Sequence, residues 1–189
     1  MKTKILVACR IFEDEIKAVL SADIATEILW LDAGLHADLA CLKSELTKTL
    51  STTVGCDADV GILFGGSCHP EINILAERYG AKTLSVKNCI EVFLGDKSQY
   101  LVDGGTMVMT PGWVRAWPQI TQSLGWDEVD VRINLGRYKR ILIVDSGINP
   151  LSDDEILAFF DHTQISLEFE PLDLSHFRRE VAGLLSIDN

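Results

Sequence analysis

Four side chains that commonly bind metals or act as nucleophiles follow directly on predicted strands: Cys9, Cys68, His69 and Cys89. The strands that precede them are the apolar runs at 5–8, 60–64 and 83–86. Three sulfurs and one imidazole suit a tetrahedral Zn²⁺ site, and two or three of them with a water leave an open, reactive site. The residue types therefore predict a shared metal or thiol site.

Strand order decides whether these side chains can meet. The commonest doubly wound sheets place the first strand beside the third and the third beside the fourth, and neighbouring strands are about 4.8 Å apart. We therefore expect the thiols to converge in one crevice at the carboxyl ends of the strands, where helix N-termini favour the thiolate. Glu91, two residues after Cys89, is a candidate further ligand or proton-transfer group, and Asp145 ends the sixth strand at the rim.

The same residues also have purely structural explanations. Unpaired cysteine is among the most buried residue types, so three reduced core cysteines would account for the pattern without a metal. In this alternative His69 caps a turn before Pro70, and Glu91 complements a helix dipole. No close-spaced CxxC or HxxxH pair is present. A disulfide between two of the thiols is a further alternative, less favoured in a reducing compartment.

Turns after the third and fifth strands are candidate cofactor-binding turns. Gly65, Gly66 and Ser67 follow the third strand as a phosphate-binding turn would, although neither GxGxxG nor GxxxxGK[ST] is present. Thr110 opens the segment TPGW after the fifth strand. This segment is predicted to start a helix with Thr110 as its cap, and it is also a candidate lid over the crevice.

Strand-like and helix-like patterns alternate along the chain. Strands are predicted at 4–8, 26–31, 60–64, 83–86, 106–109, 140–144 and 165–170. Helices are predicted at 12–20, 38–50, 70–79, 90–94, 98–102, 128–138, 153–160 and 175–185, the last capped by Ser175, and another begins at 111. The alternation predicts a three-layer Rossmann-like α/β fold, in which helices cover both faces of a mostly parallel sheet, as one domain of residues 1–189.

Composition excludes several classes of partner. The formal net charge is −11, which argues against a nucleic-acid or anionic-membrane surface. No apolar run reaches the roughly 18 residues that a membrane span needs. The apolar run near the N-terminus stops at Arg10 and is too short for a signal peptide, so we expect a cytoplasmic protein with reduced cysteines.

The sequence resembles the DUF1638 family, a set of bacterial and archaeal proteins of unknown function. The resemblance covers nearly the whole chain and rests on Ala8 and Cys9 with Glu15, GGSCHP at 65–70, NCIE at 88–91 with LG at 94–95, TPGW at 110–113, and YKR at 138–140 leading to IVDSG at 143–147. Many members carry glycine where this chain has Arg10. Because members are often encoded near corrinoid-dependent methyltransferases, the resemblance implies a role in methylamine or related one-carbon metabolism.

Three functional hypotheses follow. In the first, an enzyme or its accessory holds Zn²⁺ through the three thiols, with His69 as fourth ligand or proton shuttle. An open position would activate a substrate thiol for methyl transfer from a methylated corrinoid protein, and Glu91 or Asp145 would orient a ligand or move a proton. In the second, the site stores, senses or delivers a metal or corrinoid to partner methyltransferases without turnover. In the third, the cysteines belong to the core of a structural domain.

The expected partners are therefore a small-molecule substrate and a corrinoid protein or methyltransferase. Self-association is a further expectation. Three tryptophans would form an apolar patch for a homodimer if they were exposed: Trp113, Trp117 and Trp126.

Overall fold

A computed structural model describes residues 2–20, 26–97 and 104–186 of the chain. Its strands are β1 (Thr3–Cys9), β2 (Thr26–Leu31), β3 (Ala58–Leu63), β4 (Lys82–Thr83), β5 (Thr106–Met109), β6 (Arg140–Asp145) and β7 (Ser166–Pro171). Its α-helices are α1 (Glu13–Val19), α2 (Leu39–Ser51), α3 (Ile72–Tyr79), α4 (Cys89–Leu94), α5 (Pro111–Leu124), α6 (Glu128–Leu135), α7 (Asp153–Thr163) and α8 (Ser175–Leu185). Short 3₁₀ helices span Arg10–Phe12, Ala33–Ala37 and Gly95–Lys97.

The strands form two parallel sheets, one of order β2-β1-β3-β4 and one of order β5-β6-β7. Helices flank both sheets, which confirms the predicted Rossmann-like three-layer α/β fold. The expected neighbours are also confirmed, because β1 pairs with β3 and β3 with β4. The division into sheets of four and three strands differs from the single sheet that the alternation favoured.

Strand β4 is the element that departs most from its predicted range of 83–86. It contains Lys82 and Thr83, which pair with Gly61 and Ile62 of β3. Beyond Thr83 the chain is no longer a strand, but it stays beside the segment that follows β3, since the Val86 carbonyl accepts a hydrogen bond from the Gly66 N–H at 2.8 Å. Strand β4 is therefore shorter than predicted.

The C-terminal helix α8 completes the core of the four-stranded sheet. A side chain at Gly61 of β3 would place its Cβ 2.8 Å from Cγ of Leu184, so the missing side chain makes room for this helix. Phe177 of α8 is fully buried, and its ring lies 4.7 Å from Phe93 and 5.8 Å from Phe12 between centroids. Burying such a side chain contributes roughly 1.5–3 kcal/mol, so α8 is a main source of stability for this sheet.

The first residues of helices α4 and α5 are set partly by capping side chains and by proline. Asn88 caps α4 by accepting hydrogen bonds from the N–H groups of Ile90 and Glu91 at 3.0 and 3.1 Å. Pro111 is the first residue of α5, as predicted, and Thr110 holds the cap position without a side-chain capping bond. The predicted helix at 98–102 lies outside the described residues.

Two predicted helix starts are wrong in detail. Helix α3 begins at Ile72, so Pro70 belongs to the preceding turn. Helix α8 is not capped by Ser175, because the Asp173 carboxylate accepts hydrogen bonds from both the N–H and the hydroxyl of Ser175. In both places a neighbouring polar group satisfies the first turn in place of the expected residue.

The three tryptophans pack inward. Trp117 is buried, and Trp113 and Trp126 are half-buried against the core around β5 and β6. They form no exposed patch. The homodimer stays a prediction, and these tryptophans do not support it. The single-domain organisation also stays a prediction, although the larger core cluster joins β1 and β3 to Leu142 and Val144 of β6. Within the described ranges, no helix combines the length and apolar character needed to cross a membrane.

Candidate functional site

The three candidate thiols lie at the carboxyl edge of the four-stranded sheet. Cys9 is the last residue of β1, Cys68 lies in the turn after β3, and Cys89 is the first residue of α4. Negative charge on Cys68 or Cys89 raises the pKa of Cys9, and charge on Cys68 raises the pKa of Cys89. The fold therefore brings the thiols within electrostatic reach of one another.

Burial determines the protonation of these thiols. It raises the pKa of Cys89 to about 12 and moves the pKa of Cys9 and of Cys68 upward as well. Hydrogen bonds from the Ile11 backbone to Cys9 and from the Trp113 indole to Cys89 oppose this effect only in part. The expectation that helix N-termini would favour thiolates is therefore wrong for the chain without metal, because desolvation outweighs the short α4 helix.

The glycine turn after β3 sets the position of Cys68. The N–H groups of Gly66 and Ser67 donate to the carbonyls of Val86 and Lys87 at 2.8 and 2.7 Å. A Cβ at Gly65 would lie 2.5 Å from Cα of Asn88, so glycine permits the two loops to pack backbone to backbone. The N–H groups of Gly66 and Ser67, which a phosphate would need, are thus already hydrogen-bonded. The turn instead holds Cys68 close to Cys89.

His69 is buried and serves the start of α3. Its Nδ1 accepts a hydrogen bond from the Glu71 N–H at 3.0 Å. A neutral imidazole whose Nδ1 accepts must carry its proton on Nε2. In this arrangement neither ring nitrogen offers a free lone pair to a metal ion, while Nε2 carries a proton that can be donated.

A second histidine, His36, lies beside the site. Its Nδ1 is 3.0 Å from the carbonyl oxygen of Ala33, which can only accept, so Nδ1 carries the proton and Nε2 holds the lone pair. The ring stacks on Phe64 at 5.9 Å and lies 6.2 Å from the ring of Trp113. Burial lowers the pKa of His36, which favours the neutral imidazole.

His36 has no role in the hypotheses drawn from the sequence. It follows β2 in the 3₁₀ helix Ala33–Ala37, and β2 is the outer neighbour of β1. A search of every strand end for imidazole and thiol groups, including that of β2, would have found it.

Trp113 connects the thiol edge to a cavity. Its indole Nε1–H donates a hydrogen bond to Sγ of Cys89 at 3.0 Å. A cavity of about 610 Å³ adjoins this pair and is lined by apolar and aromatic side chains that include Met107, Met109 and Tyr138. Its size and lining are typical of a pocket for a small organic molecule.

The two candidate catalytic carboxylates both bind backbone. Glu91 lines the cavity, and its Oε2 accepts from the Lys87 N–H at 2.7 Å. Asp145 accepts from the Gly147 N–H at 2.7 Å, and its charge acts on the buried Glu15 of α1. Each carboxylate therefore stabilises a loop, and neither is paired with a thiol or imidazole among the described residues.

Thr110 precedes Trp113 by one helical turn. Its hydroxyl is fully buried and has no hydrogen-bond partner within the described part of the chain. The structure gives this candidate cofactor-binding residue a buried position at the start of α5. Its hydroxyl is left without an assigned role.

Metal-ligand geometry is not preformed. Among residues 2–20, 26–97 and 104–186, no group of three or more Cys, His, Asp or Glu side chains is arranged to hold a metal ion.

The fold is that of a Rossmann-like α/β protein, and three thiols lie at the carboxyl edge of its four-stranded sheet. The chain belongs to the family described as DUF1638, a protein family of unknown function, whose model matches residues 30–181. The match includes Cys68, Cys89 and Trp113, and Cys9 lies before it. No curated protein matches the chain.

Proposed function

We propose that this chain is a metal-binding protein that holds a thiophilic ion, zinc before others, through Cys9, Cys68 and Cys89. The observation that carries the proposal is the mutual electrostatic reach of three thiols at the carboxyl edge of the four-stranded sheet: Cys9 at the end of β1, Cys68 in the turn after β3 and Cys89 at the start of α4. Thiolate sulfur is a preferred ligand of Zn²⁺, and it also binds Cu⁺ and iron. A bound cation would offset the desolvation that keeps these thiols protonated.

The surroundings of Cys89 fit a metal-bound thiolate. Ligands of bound metals commonly take hydrogen bonds from neighbouring groups, which fix their orientation and tune the metal. The Trp113 indole makes such a bond to Cys89. Binding of a metal by the protonated thiols would release protons.

Holding or delivering the ion is the role that the geometry supports best. Glu91 and Asp145, the candidate proton-transfer groups, are each engaged with a backbone N–H. A site without a poised acid or base suits storage or delivery better than turnover. The family resemblance suggests corrinoid-dependent methyltransferases as the proteins that would receive the metal or a corrinoid.

Thiol methyl transfer is a second candidate, favoured by the cavity of about 610 Å³ beside Cys89. Zinc with an open position would lower the pKa of a substrate thiol there. The apolar wall of the cavity would bind the body of the substrate, whose thiol would lose its proton to solvent. A methylated corrinoid protein would be the methyl donor: the thiolate sulfur would form the new bond to the methyl group while the carbon–cobalt bond breaks and its electron pair stays on cobalt as Co(I).

Elemental analysis tests the metal proposal. The native chain, purified anaerobically without chelator or affinity histidines, is compared with Cys68→Ala and with Cys41→Ala, whose cysteine is exposed on α2. Near-stoichiometric metal is expected in the native chain and in Cys41→Ala, with most of it lost in Cys68→Ala. Absence of metal from the native chain, also after reconstitution with zinc, would overturn the proposal.

A second assay separates the two candidates. The metal-loaded and metal-free chains are incubated with free methylcobalamin and a small thiol, and formation of the methyl thioether is followed. Metal-dependent formation of thioether supports methyl transfer. Stable metal binding without thioether formation, together with transfer of the ion to a chelating acceptor protein, supports delivery.

A further inference from the structure

We propose that the cavity of about 610 Å³ beside Cys89 binds an organic cation that carries an amide group and an apolar body. Such binding needs no metal ion and is separate from the proposed function. Three features of the cavity favour this class of ligand: an unpaired strand edge, a carboxylate and an apolar, aromatic lining.

The cavity is a slot along the outer edge of β5. All four residues of this strand line it. Successive side chains of a strand point to opposite faces of the sheet, so a wall that includes all four residues is the edge of the strand. In the described part of the chain, β5 is an outer strand of its sheet and pairs only with β6. The start of α4 contributes another wall of the slot.

Val108 directs its backbone N–H and C=O toward this slot. The Gly105 carbonyl faces β6, since it accepts a hydrogen bond from the Arg140 N–H at 3.4 Å. Backbone groups of successive strand residues alternate in direction, so those of Met107 and Met109 also face β6 and those of Val108 face away from it. Within the described ranges, neither backbone group of Val108 has a hydrogen-bond partner. An N–H beside a C=O is the pair of groups that binds an amide when a strand is added to a sheet edge.

A carboxylate gives the slot a preference for cations. Glu91 of α4 is the one acidic side chain among the described lining residues, and these residues include no Lys or Arg. Its Oε2 accepts from the Lys87 N–H at 2.7 Å, whereas its Oε1 has no hydrogen bond within the described part of the chain. The Cys89 thiol adds no negative charge, because burial raises its pKa to about 12. A ligand ammonium group can therefore donate to the second oxygen of this carboxylate.

The remaining lining suits an apolar body. Trp113, Met107 and Met109 supply an aromatic ring and two thioethers, which bind aromatic and aliphatic groups. The Tyr138 end of the slot is less suited to a cation. The Arg137 guanidinium lies 4.8 Å from the Tyr138 ring centroid and donates to its hydroxyl at 2.8 Å, so positive charge is already present there. The ammonium group therefore belongs at the carboxylate of α4.

Nitrogen-15 NMR titration of the reduced, metal-free chain at pH 6.5 tests the proposal, with phenylalaninamide as the probe. Two matched compounds are compared with it: 3-phenylpropanamide, which lacks the ammonium group, and 2-phenylethylamine, which lacks the amide. We expect phenylalaninamide to bind about tenfold more tightly than 3-phenylpropanamide and about threefold to tenfold more tightly than 2-phenylethylamine. The signals of the Val108 N–H and the Trp113 indole N–H should shift on binding.

Glu91→Gln should bind phenylalaninamide no more tightly than the native chain binds 3-phenylpropanamide. Glutamine keeps an acceptor for the Lys87 N–H, so the variant loses the charge and retains the bond to the loop. Glu77→Gln, at an exposed position of α3, is the matched control and should keep the native affinity.

Equal affinities of the native chain for phenylalaninamide and 3-phenylpropanamide would overturn the proposal, as would native affinity in a folded Glu91→Gln variant. Binding that leaves the Val108 and Trp113 signals unshifted would also overturn it, because the ligand would then lie elsewhere. If Glu91→Gln does not fold, the comparison of the three compounds on the native chain decides. A chain that binds metal but none of the compounds contradicts this proposal alone, and one that binds phenylalaninamide but no metal contradicts the proposed function alone.

Discussion

The indole Nε1–H of Trp113 donates a hydrogen bond to Sγ of Cys89 over 3.0 Å. Trp113 lies in α5, which follows β5 of the three-stranded sheet, and Cys89 lies at the edge of the four-stranded sheet. The bond therefore connects the two sheets at the candidate site. It also stabilises negative charge on the sulfur, which is the charge that a metal ion requires.

Trp113→Phe should weaken metal binding by about tenfold, because removal of an outer hydrogen bond typically costs 10-fold to 100-fold. The pKa of Cys89 should rise further, since the Trp113 bond lowers it. Competition with a chromophoric chelator measures the affinity. Trp117→Phe is the matched control: the Trp117 N–H is buried and has no partner among the described residues, so its loss should leave affinity unchanged. Equal affinities in both variants would contradict the role of the bond.

The metal-free chain should lose stability in alkaline solution. The folded pKa of Cys89, about 12, lies above its ordinary value of 9.0. A raised pKa means that the folded state binds the proton more tightly, so its contribution is complete below pH 9 and is lost as the pH rises from 9 toward 12. One such thiol changes the free energy of unfolding by up to about 1.4 kcal/mol per pH unit.

Urea unfolding between pH 7 and 10.5 measures this slope. Cys89→Ser should flatten the decline above pH 9, because serine does not titrate there, and Cys56→Ser, at an exposed position, should leave it unchanged. An identical pH dependence for the native chain and Cys89→Ser would refute the buried protonated thiol.

Gly65→Ala should destabilise the chain by about 1–3 kcal/mol, the usual cost of overpacking. Its Cβ would meet backbone, 2.5 Å from Cα of Asn88 and 2.6 Å from the Lys87 carbonyl oxygen, and backbone cannot rotate away. Gly66→Ala is the control next in the chain, since its Cβ would meet Val86 at an ordinary 3.5 Å. Differential scanning calorimetry should show a large decrease in melting temperature for Gly65→Ala and a small one for Gly66→Ala. Similar melting temperatures for the two variants would contradict the close packing at Gly65.

Glu15→Gln should raise stability at neutral pH by on the order of 1 kcal/mol. Glu15 is buried, and burial raises the pKa of its carboxyl. The folded state therefore binds the Glu15 proton more tightly than the unfolded state does. The protonated acid contributes to the free energy of unfolding at low pH, and this contribution is lost as the pH rises above 4.5. Glutamine does not titrate, so the variant has no such loss. The gain over the native chain should grow from pH 4.5 toward pH 7.

Glu13→Gln should lower the stability at neutral pH, the opposite of the effect of Glu15→Gln, and it serves as the control. Hydrogen bonding from Lys17 lowers the pKa of the Glu13 carboxyl, so its stabilising contribution is present above pH 4.5 and is lost in acid. Thermal melts at pH 4 and pH 7 distinguish the two variants. If Glu15→Gln were less stable than the native chain at pH 7, the Glu15 carboxylate would be ionised in the folded state and stabilised by neighbouring polar groups.

Local patterns predicted most elements because their causes are local. Strands at 26–31 and 106–109 were predicted with the bounds that β2 and β5 have. Strand β4 was predicted too long, because its length depends on pairing with β3, which is distant in sequence, and that pairing includes only Lys82 and Thr83 of β4. The division into two sheets likewise depends on which strand edges pair across the fold.

The site could be predicted only as far as strand order allows. The edge at which Cys9 and Cys68 lie follows from the parallel pairing of β1 and β3, whereas Cys89 reaches it at the start of α4, six residues after β4. The difference between His36 and His69 depends on which ring nitrogen meets a carbonyl and which meets an N–H, and no sequence pattern encodes that difference. The raised thiol pKa values also depend on burial by distant segments.

The place of α8 in the core also has a consequence for biosynthesis. The strands that carry the three thiols are made early, whereas the groove at Gly61 is filled only when Leu184 arrives. During synthesis on the ribosome, part of the apolar surface of the four-stranded sheet stays uncovered until the last turns of α8 have emerged. A chain halted before residue 175 would therefore leave the ribosome with the groove at Gly61 unfilled, and under the proposed function a metal would be loaded only after this last packing step.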